Sequence, residues 1–365
     1  MTATLELAGR AEGQLSGSAQ DAIFIDPIQD GPLWDWLVMA HIDAGFFHHG
    51  EWARVLCRTY GHRPAYLAVF QEDQLAALLP MMEVRSVVTG CRGVSVPFAD
   101  FTAPLLAEGC DPAGVMDVLR TVARERQWKH FELRGGGPLE AGAPASQSYF
   151  AHCLDLTPGP EALFSHFDSS VRRAIRKAER EGLMVEVSTD WQAVAHFYQM
   201  HGRTRRRHGL PPQPKAFFVH VHEEIIKTGR GAVVTVSQNG RPVAGAMFFH
   251  RDRKAVYKFG ACDERRQETR ANNLAMWAGI QHLAERGCET LHFGRTDREH
   301  EGLRRYKLGW GAAESVLNYY RLDVGTDSWV AERSQLASAF HTAVFSRMPL
   351  LMNRLLGRFI YPHLA

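Results

Sequence analysis

The sequence lacks any CxxC pair. Its six cysteines lie scattered over 365 residues, which suggests neither a zinc ribbon nor a disulfide framework, so reduced thiols in a cytoplasm are the simplest reading. It lacks an apolar run near the roughly 20 residues that span a bilayer. It also lacks an excess of either charge: 42 Lys and Arg against 40 Asp and Glu leave +2, and nothing global advertises a nucleic-acid partner. Residues 1–20 are rich in Gly, Ser and Ala, with no basic segment leading into an apolar one. They read as a disordered tail rather than a signal peptide.

What is present is 45% hydrophobic and 22% charged, the balance of a globular chain, at a length comfortable for two domains. In the second half, "GAVVTVSQNGRPVAGAMFF" places two β-rich runs around Asn239-Gly240, a pair that accepts positive φ at both turn positions of a hairpin. "KAVYKFGA" (254–261) is a third strand. "ANNLAMWAGIQHLAERG" carries Leu274, Trp277, Ile280 and Ala284 on one helical stripe, and "TLHF" follows as a strand. The first half repeats that order: "AYLAVF", "LAALLPMM" and "GVSVPF", then a helix with Asp111 as cap and Pro112 at its first position, then "HFELRG".

Between the halves, "DSSVRRAIRKAEREGL" predicts a helix over 169–182, capped by Ser169 or Ser170. Val171, Ile175 and Ala178 share its apolar side, while Arg172, Arg173, Arg176, Lys177 and Arg180 dominate the rest. Two readings stand, a solvated face or a platform for phosphates. The predicted fold class is α/β (α+β), with two tandem domains at 21–158 and 159–330. Each holds a mixed, mainly antiparallel sheet flanked by helices. Residues 331–365 form a C-terminal helical segment expected to pack back on the first domain.

"FFHHGEWARVLCRTYGHRPAYLAVF", "VPFADFTAPLL", "SSVRRAIRKAEREGL" and, above all, "LHFGRTDREHEGLRRYKLGWGA" (291–312) resemble the FemAB-like family, in particular its FemAB-type proteins associated with exosortase and exopolysaccharide systems. The resemblance implies two GNAT-like domains and transfer of an acyl or aminoacyl group onto an amine of a cell-envelope or polysaccharide precursor. It implies no tightly bound cofactor. The donor is a co-substrate, aminoacyl-tRNA or acyl-CoA, and DNA is not a partner. It also points to Lys307, in Tyr306-Lys307, as a catalytic residue that stabilises the tetrahedral oxyanion of aminolysis. The alternatives are a non-catalytic carbohydrate-binding or scaffolding subunit, and an acyl-CoA-dependent N-acetyltransferase.

Each further candidate carries a bland reading beside the functional one. Lys307 is otherwise a surface lysine paired with Glu301 or Asp297. Asp100, after an apolar strand, either accepts a proton from the attacking ammonium or caps a loop. Arg295 either grips a carboxylate or phosphate, or pairs with Asp297 to fix a turn. Tyr306 touches substrate or only packs. Arg172, Arg173 and Arg176 are the substrate-side cations. GNAT enzymes that use acyl-CoA usually place a glycine-rich turn before the central helix, where backbone N–H groups approach pyrophosphate. Here "DERRQETRANN" has no glycine, so donor binding falls to Arg265, Arg266, Arg270 and Asn273. No metal site is assigned, since His48 and His49 share no face and His220 and His222 lack a third ligand. "HGRTRRRHGLPPQP" is a basic, turn-rich stretch, suited to an acceptor or to a solvated loop. The apolar C-terminal "FSRMPLLMNRLLGRFIYPHLA", with Arg347, Arg354 and Arg358, allows a peripheral membrane contact at the inner face of the membrane.

Overall fold

The computed structural model describes residues 14–15, 20–137, 139–331 and 345–364. They form two compact units, one drawn from 1–148, 317–334 and 362–365, the other from 149–316 and 335–361. The N-terminal tail lies largely outside the described residues, although Gln14–Leu15 pairs as a short strand.

In the first unit, β1 (Gln14–Leu15), β2 (Gln20–Phe24), β4 (Leu67–Gln71), β5 (Gln74–Leu79) and β8 (Leu105–Leu106) make one antiparallel sheet in the order β1-β2-β4-β5-β8. A second sheet holds β3 (Arg63–Pro64), β6 (Met81–Ser86), β7 (Gly90–Ser95) and β9 (His130–Arg134). Helices α1 (Gly31–Met39), α2 (Gly50–Tyr60) and α3 (Pro112–Glu125) complete it. The Asp111 carboxylate caps α3 by accepting from the N–H groups of Ala113 and Gly114, as expected. α3 buries Val115, Met116, Leu119 and Val122 among Leu67, Val69 and Phe131, and it carries the chain from β7 to the parallel β9.

The second unit repeats that motif. β10 (Gln147–Asp155), β11 (Met184–Ser188), β12 (Gly231–Gln238), β13 (Arg241–Arg251), β14 (Lys254–Cys262) and β15 (Thr290–Asp297) stand in the order β11-β12-β13-β14-β15-β10. All pairs are antiparallel except β14 with β15, which are parallel and so need a crossover. The helices are α4 (Pro160–His166), α5 (Ser169–Arg180), α6 (Trp191–Arg207), α7 (Lys215–Val221), α8 (Ala271–Glu285), α9 (Glu301–Leu308) and α10 (Leu350–Ile360). α8 is the crossover, and its Leu274, Trp277, Ile280 and Leu283 enter a core with Val234, Phe248 and Leu291. The fold class therefore matches the sequence expectation.

Several boundaries differ. The units divide at 148/149 rather than 158/159, because the edge of β15 recruits β10. The basic helix lies in the second unit, within the 159–330 span expected for it, but its cap is Asp168, whose carboxylate accepts from the Ser170 N–H, not Ser169 or Ser170. Residues 201–207 continue α6 instead of forming a turn-rich loop. β16 (Ala313–Asp323) crosses the division, and from Tyr319 on it pairs with β9. Helix α10 packs on α6 of the second unit rather than on the first domain; only the final residues join the first unit, where the carbonyl of His363 accepts from Arg92.

Candidate active site

The parallel pair β14–β15 is registered only at Lys254↔Thr290, Ala255↔Leu291 and Val256↔His292. Beyond Val256 and His292 the strands part, although β14 stays paired to β13 as far as Cys262 and β15 to β10 as far as Asp297. Both strands bulge where they separate. The β13–β14 register shifts between Met247↔Phe259 and Phe248↔Tyr257, which leaves Lys258 as the extra residue. The β10–β15 register shifts between Ala151↔Arg295 and Cys153↔His292, and Gly294 there has φ 72, a left-handed conformation that disfavours a side chain.

That second bulge turns two successive carbonyls the same way, and Lys307 meets both. Lys307 is the seventh residue of α9, 3% exposed, and its Nζ donates to the carbonyl oxygens of Gly294 at 2.8 Å and Arg295 at 3.0 Å. The expected surface pairing with Glu301 or Asp297 gives way to a buried ammonium at the parting of the strands. His152, fully buried on β10, lies near enough for the Lys307 charge, second to burial, to lower its basicity. Its Nε2 meets Glu314 Oε2 at 3.0 Å, and Arg304 holds the same carboxylate through two N–H donors at 2.7 and 2.8 Å.

Around the start of α8 lie three spaces that share lining residues. A groove of about 960 Å³ runs between α5, α9 and the start of α8; Arg173, Lys177, Arg270 and Arg305 line it with Tyr306 and Asn273. Four cations stand there against the carboxylate of Asp168. A recess of about 190 Å³ shares Arg270, Asn273 and Tyr306 with the groove and reaches Cys262, Asp263 and Arg266. Beyond it, a cleft of about 800 Å³ shares Val243, Asp263 and Arg266 with the recess and adds Arg203, Arg241 and Arg265. Tyr306 is a wall residue with a buried phenol. Burial and its neighbour Tyr257 push its pKa well above the usual range, so the hydroxyl stays protonated.

The glycine-free turn forms a 3-10 segment, Glu264–Thr269, whose Asp263 carboxylate accepts from the Arg265 N–H. Arg270 closes it at φ 60, a position glycine would hold without strain. The structure thus brings together Arg173, Arg270, Asn273 and Tyr306, with Arg266 at the recess and Arg265 in the outer cleft.

Other candidates do not line these spaces. Arg295 is exposed and stacks on the Tyr149 ring at 4.6 Å; neither it nor Asp297 lines these spaces. Arg176 lies over Phe164 at 5.5 Å, and Arg172 is not in the groove lining. Helical spacing explains the split, since Arg173 and Lys177 are one turn apart and share a face. The same spacing pairs Arg172 with Arg176, so the sequence alone does not say which face meets the groove; Arg305 carried no comparable signal. Asp100 belongs to the first unit, in the loop beyond β7, where its backbone carbonyl accepts from the Tyr319 hydroxyl at 2.5 Å. Among the described residues, no group of three His, Cys, Asp or Glu is placed to hold a metal ion.

Residues 165–314, which contain this site, match the family described as an acetyltransferase (GNAT) domain. No curated protein matches the chain. Among solved structures it is similar to FemX, with 12% identity and a TM-score of 0.63 over 84% of this chain and 96% of that one. It is similar to a tandem GNAT protein from the clavulanic acid biosynthesis pathway, with 10% identity and a TM-score of 0.56 over 84% and 99%. It is also similar to the C-terminal domain of a putative lysylphosphatidylglycerol synthetase from Agrobacterium fabrum, with 14% identity and a TM-score of 0.52 over 90% and 96%. At these identities the likeness is one of fold: the chain is similar in fold to FemX and to a tandem GNAT protein, and residues 165–314 within its second unit match the acetyltransferase (GNAT) domain.

Proposed function

We propose that the protein is an N-acyltransferase that moves an acyl group from a phosphate-bearing thioester, of the acyl-CoA type, onto an amine of an envelope or exopolysaccharide precursor. The observation that carries this reading is a groove lined by four cations at the start of α8, in a unit whose parallel strands β14 and β15 part beyond Val256 and His292. Parted parallel strands open backbone edges to an extended acyl arm, and the cations beside the start of α8 suit the phosphates of its carrier.

The substrate amine attacks the thioester carbonyl carbon, the C–S bond breaks, and the thiolate leaves. The ammonium proton passes to solvent or to the departing thiolate. The oxyanion forms at the parting, where the β14 bulge at Lys258 re-aims backbone N–H groups and the buried Lys307 ammonium supplies positive charge in a poorly screened setting. Arg173, Lys177, Arg270 and Arg305 hold the carrier, and Tyr306 shapes the channel between groove and recess. The FemAB-type link to exosortase systems rests on the sequence resemblance alone.

The arginine-lined outer cleft favours a second reading, in which a larger polyanion such as aminoacyl-tRNA is the donor. Radiolabelled acyl-CoA and charged tRNA, each incubated with the protein and envelope extract, separate the two. Label moving from acyl-CoA to an amine supports the first reading. Label moving only from tRNA replaces it with the second, and transfer from neither sinks both in favour of a scaffold.

A further inference from the structure

Helix α10 is mounted inside out. Its inward face carries Asn353, fully buried, together with Gly357 and Arg354. Its outward face carries Leu351, Met352, Leu355 and Phe359, which are 74%, 53%, 57% and 68% exposed. An 11-residue helix that can turn about its axis normally buries such side chains, since apolar surface is stabilised on leaving water. Polar and steric contacts on the inner side prevent it. Asn353 Nδ2 donates to the Phe345 carbonyl at 3.3 Å, and the Arg354 guanidinium stacks on the Tyr198 ring at 4.8 Å. Just past the helix, the Tyr361 hydroxyl donates to the Pro211 carbonyl at 3.0 Å and accepts from Arg205 at 2.9 Å. Gly357 lies against the Pro212 backbone so closely that a Cβ there would collide with its carbonyl oxygen. Rotating the apolar face inward would break all of these contacts at once.

We propose that this face docks onto an anionic lipid surface. The charge around it favours that occupant over another protein. Residues 345–364 contain three arginines and no acidic residue, and Arg347 and Arg358 are exposed on the segment. Leu210, beside the Pro211–Pro212 step that receives Gly357, adds another exposed apolar side chain. Leucine, methionine and phenylalanine outward with arginine alongside are the composition of a helix that lies in the headgroup region. Among the described residues no helix is long and apolar enough to cross a membrane, so the contact is peripheral. The proposal stands on α10 alone and is independent of the transferase reading.

The test is co-sedimentation of the full chain with vesicles of phosphatidylcholine, and of phosphatidylcholine mixed with phosphatidylglycerol, at low and high salt. Wild type is expected to sediment with the anionic vesicles, less so as salt rises, and to leave neutral vesicles largely unbound. Leu355→Asp and Phe359→Asp, both at exposed positions, should abolish binding while the circular dichroism melt is unchanged. Arg347→Ala and Arg358→Ala should each weaken it about fivefold. Failure of wild type to bind anionic vesicles overturns the proposal. So does binding that survives both aspartate variants, or a concentration-dependent dimer abolished by Phe359→Asp in a protein that ignores vesicles.

Discussion

Lys307 holds Gly294: the buried Nζ donates at 2.8 Å to a carbonyl that a left-handed glycine has turned out of the β15 ladder. The contact fixes α9 to the point where β14 and β15 part. It makes the lysine a structural member of the site as well as its candidate electrostatic one.

Lys307→Met should therefore lose stability along with activity. It leaves the buried Gly294 carbonyl and the part-buried Arg295 carbonyl without the ammonium, and an unsatisfied buried acceptor costs about 1–3 kcal/mol. Thermal melts should fall by several degrees. If transfer is measured at a temperature where the variant is still folded, kcat should drop on the order of a hundredfold or more. A variant with unchanged melt and rate would remove both roles.

Arg270→Gly should separate stability from binding. The arginine sits at φ 60, and glycine there relieves roughly 1 kcal/mol of backbone strain, less the unfolded-chain entropy it adds. The melt should stay level or rise slightly, while KM for the donor should rise several-fold through loss of a groove cation. An unchanged KM would take Arg270 out of the donor site.

Arg173→Ala and Lys177→Ala should weaken the binding of a phosphate-bearing donor, more at low salt than at high, because partly exposed charges are screened over about 8 Å at physiological ionic strength. Arg176→Ala, whose guanidinium lies over Phe164, should have little effect. Calorimetric titration of CoA at two salt concentrations reads all three. Equal losses from Arg173→Ala and Arg176→Ala would mean that the helix acts as a diffuse basic surface and not through one face.

His201 makes stability sensitive to acid. Burial, then the nearby Arg205, lowers its pKa from 6.5 to about 3, so the folded protein keeps the ring neutral. The unfolded chain takes up a proton below 6.5 and the folded one does not. Stability from this residue is thus complete above about pH 6.5 and declines as pH falls towards 3, by at most about 1.4 kcal/mol per unit. Denaturant midpoints between pH 7 and 5 should shift downward with acid. His201→Met should flatten that slope; an equal slope would assign the acid sensitivity to other histidines.

The repeated motif was legible in the sequence because its signals are local. Asn239-Gly240 allows a tight hairpin, Asp111-Pro112 starts a helix, and the apolar stripe of α8 has helical spacing. The most specific stretch, 291–312, was legible through resemblance. Its geometry was not. "GRTDREHEGLRRYKLG" looks like a charged loop because α9 is only eight residues long and strongly charged; it becomes a helix only by resting on β15, with Lys307 as the inward anchor.

The tertiary structure alone decided which cations share a surface. Arg173 and Arg270 are nearly a hundred residues apart, and they meet across a groove because α8 must cross over between parallel strands and α5 packs on α8. It also decided the orientation of α10. The sequence specifies an amphipathic, basic helix, and periodicity would turn its leucines inward. Asn353, Gly357 and Tyr361 turn them outward, through contacts with Phe345, Pro211 and Pro212. Hydrophobic patterning states which side chains share a face, and only packing against the rest of the chain determines where that face points.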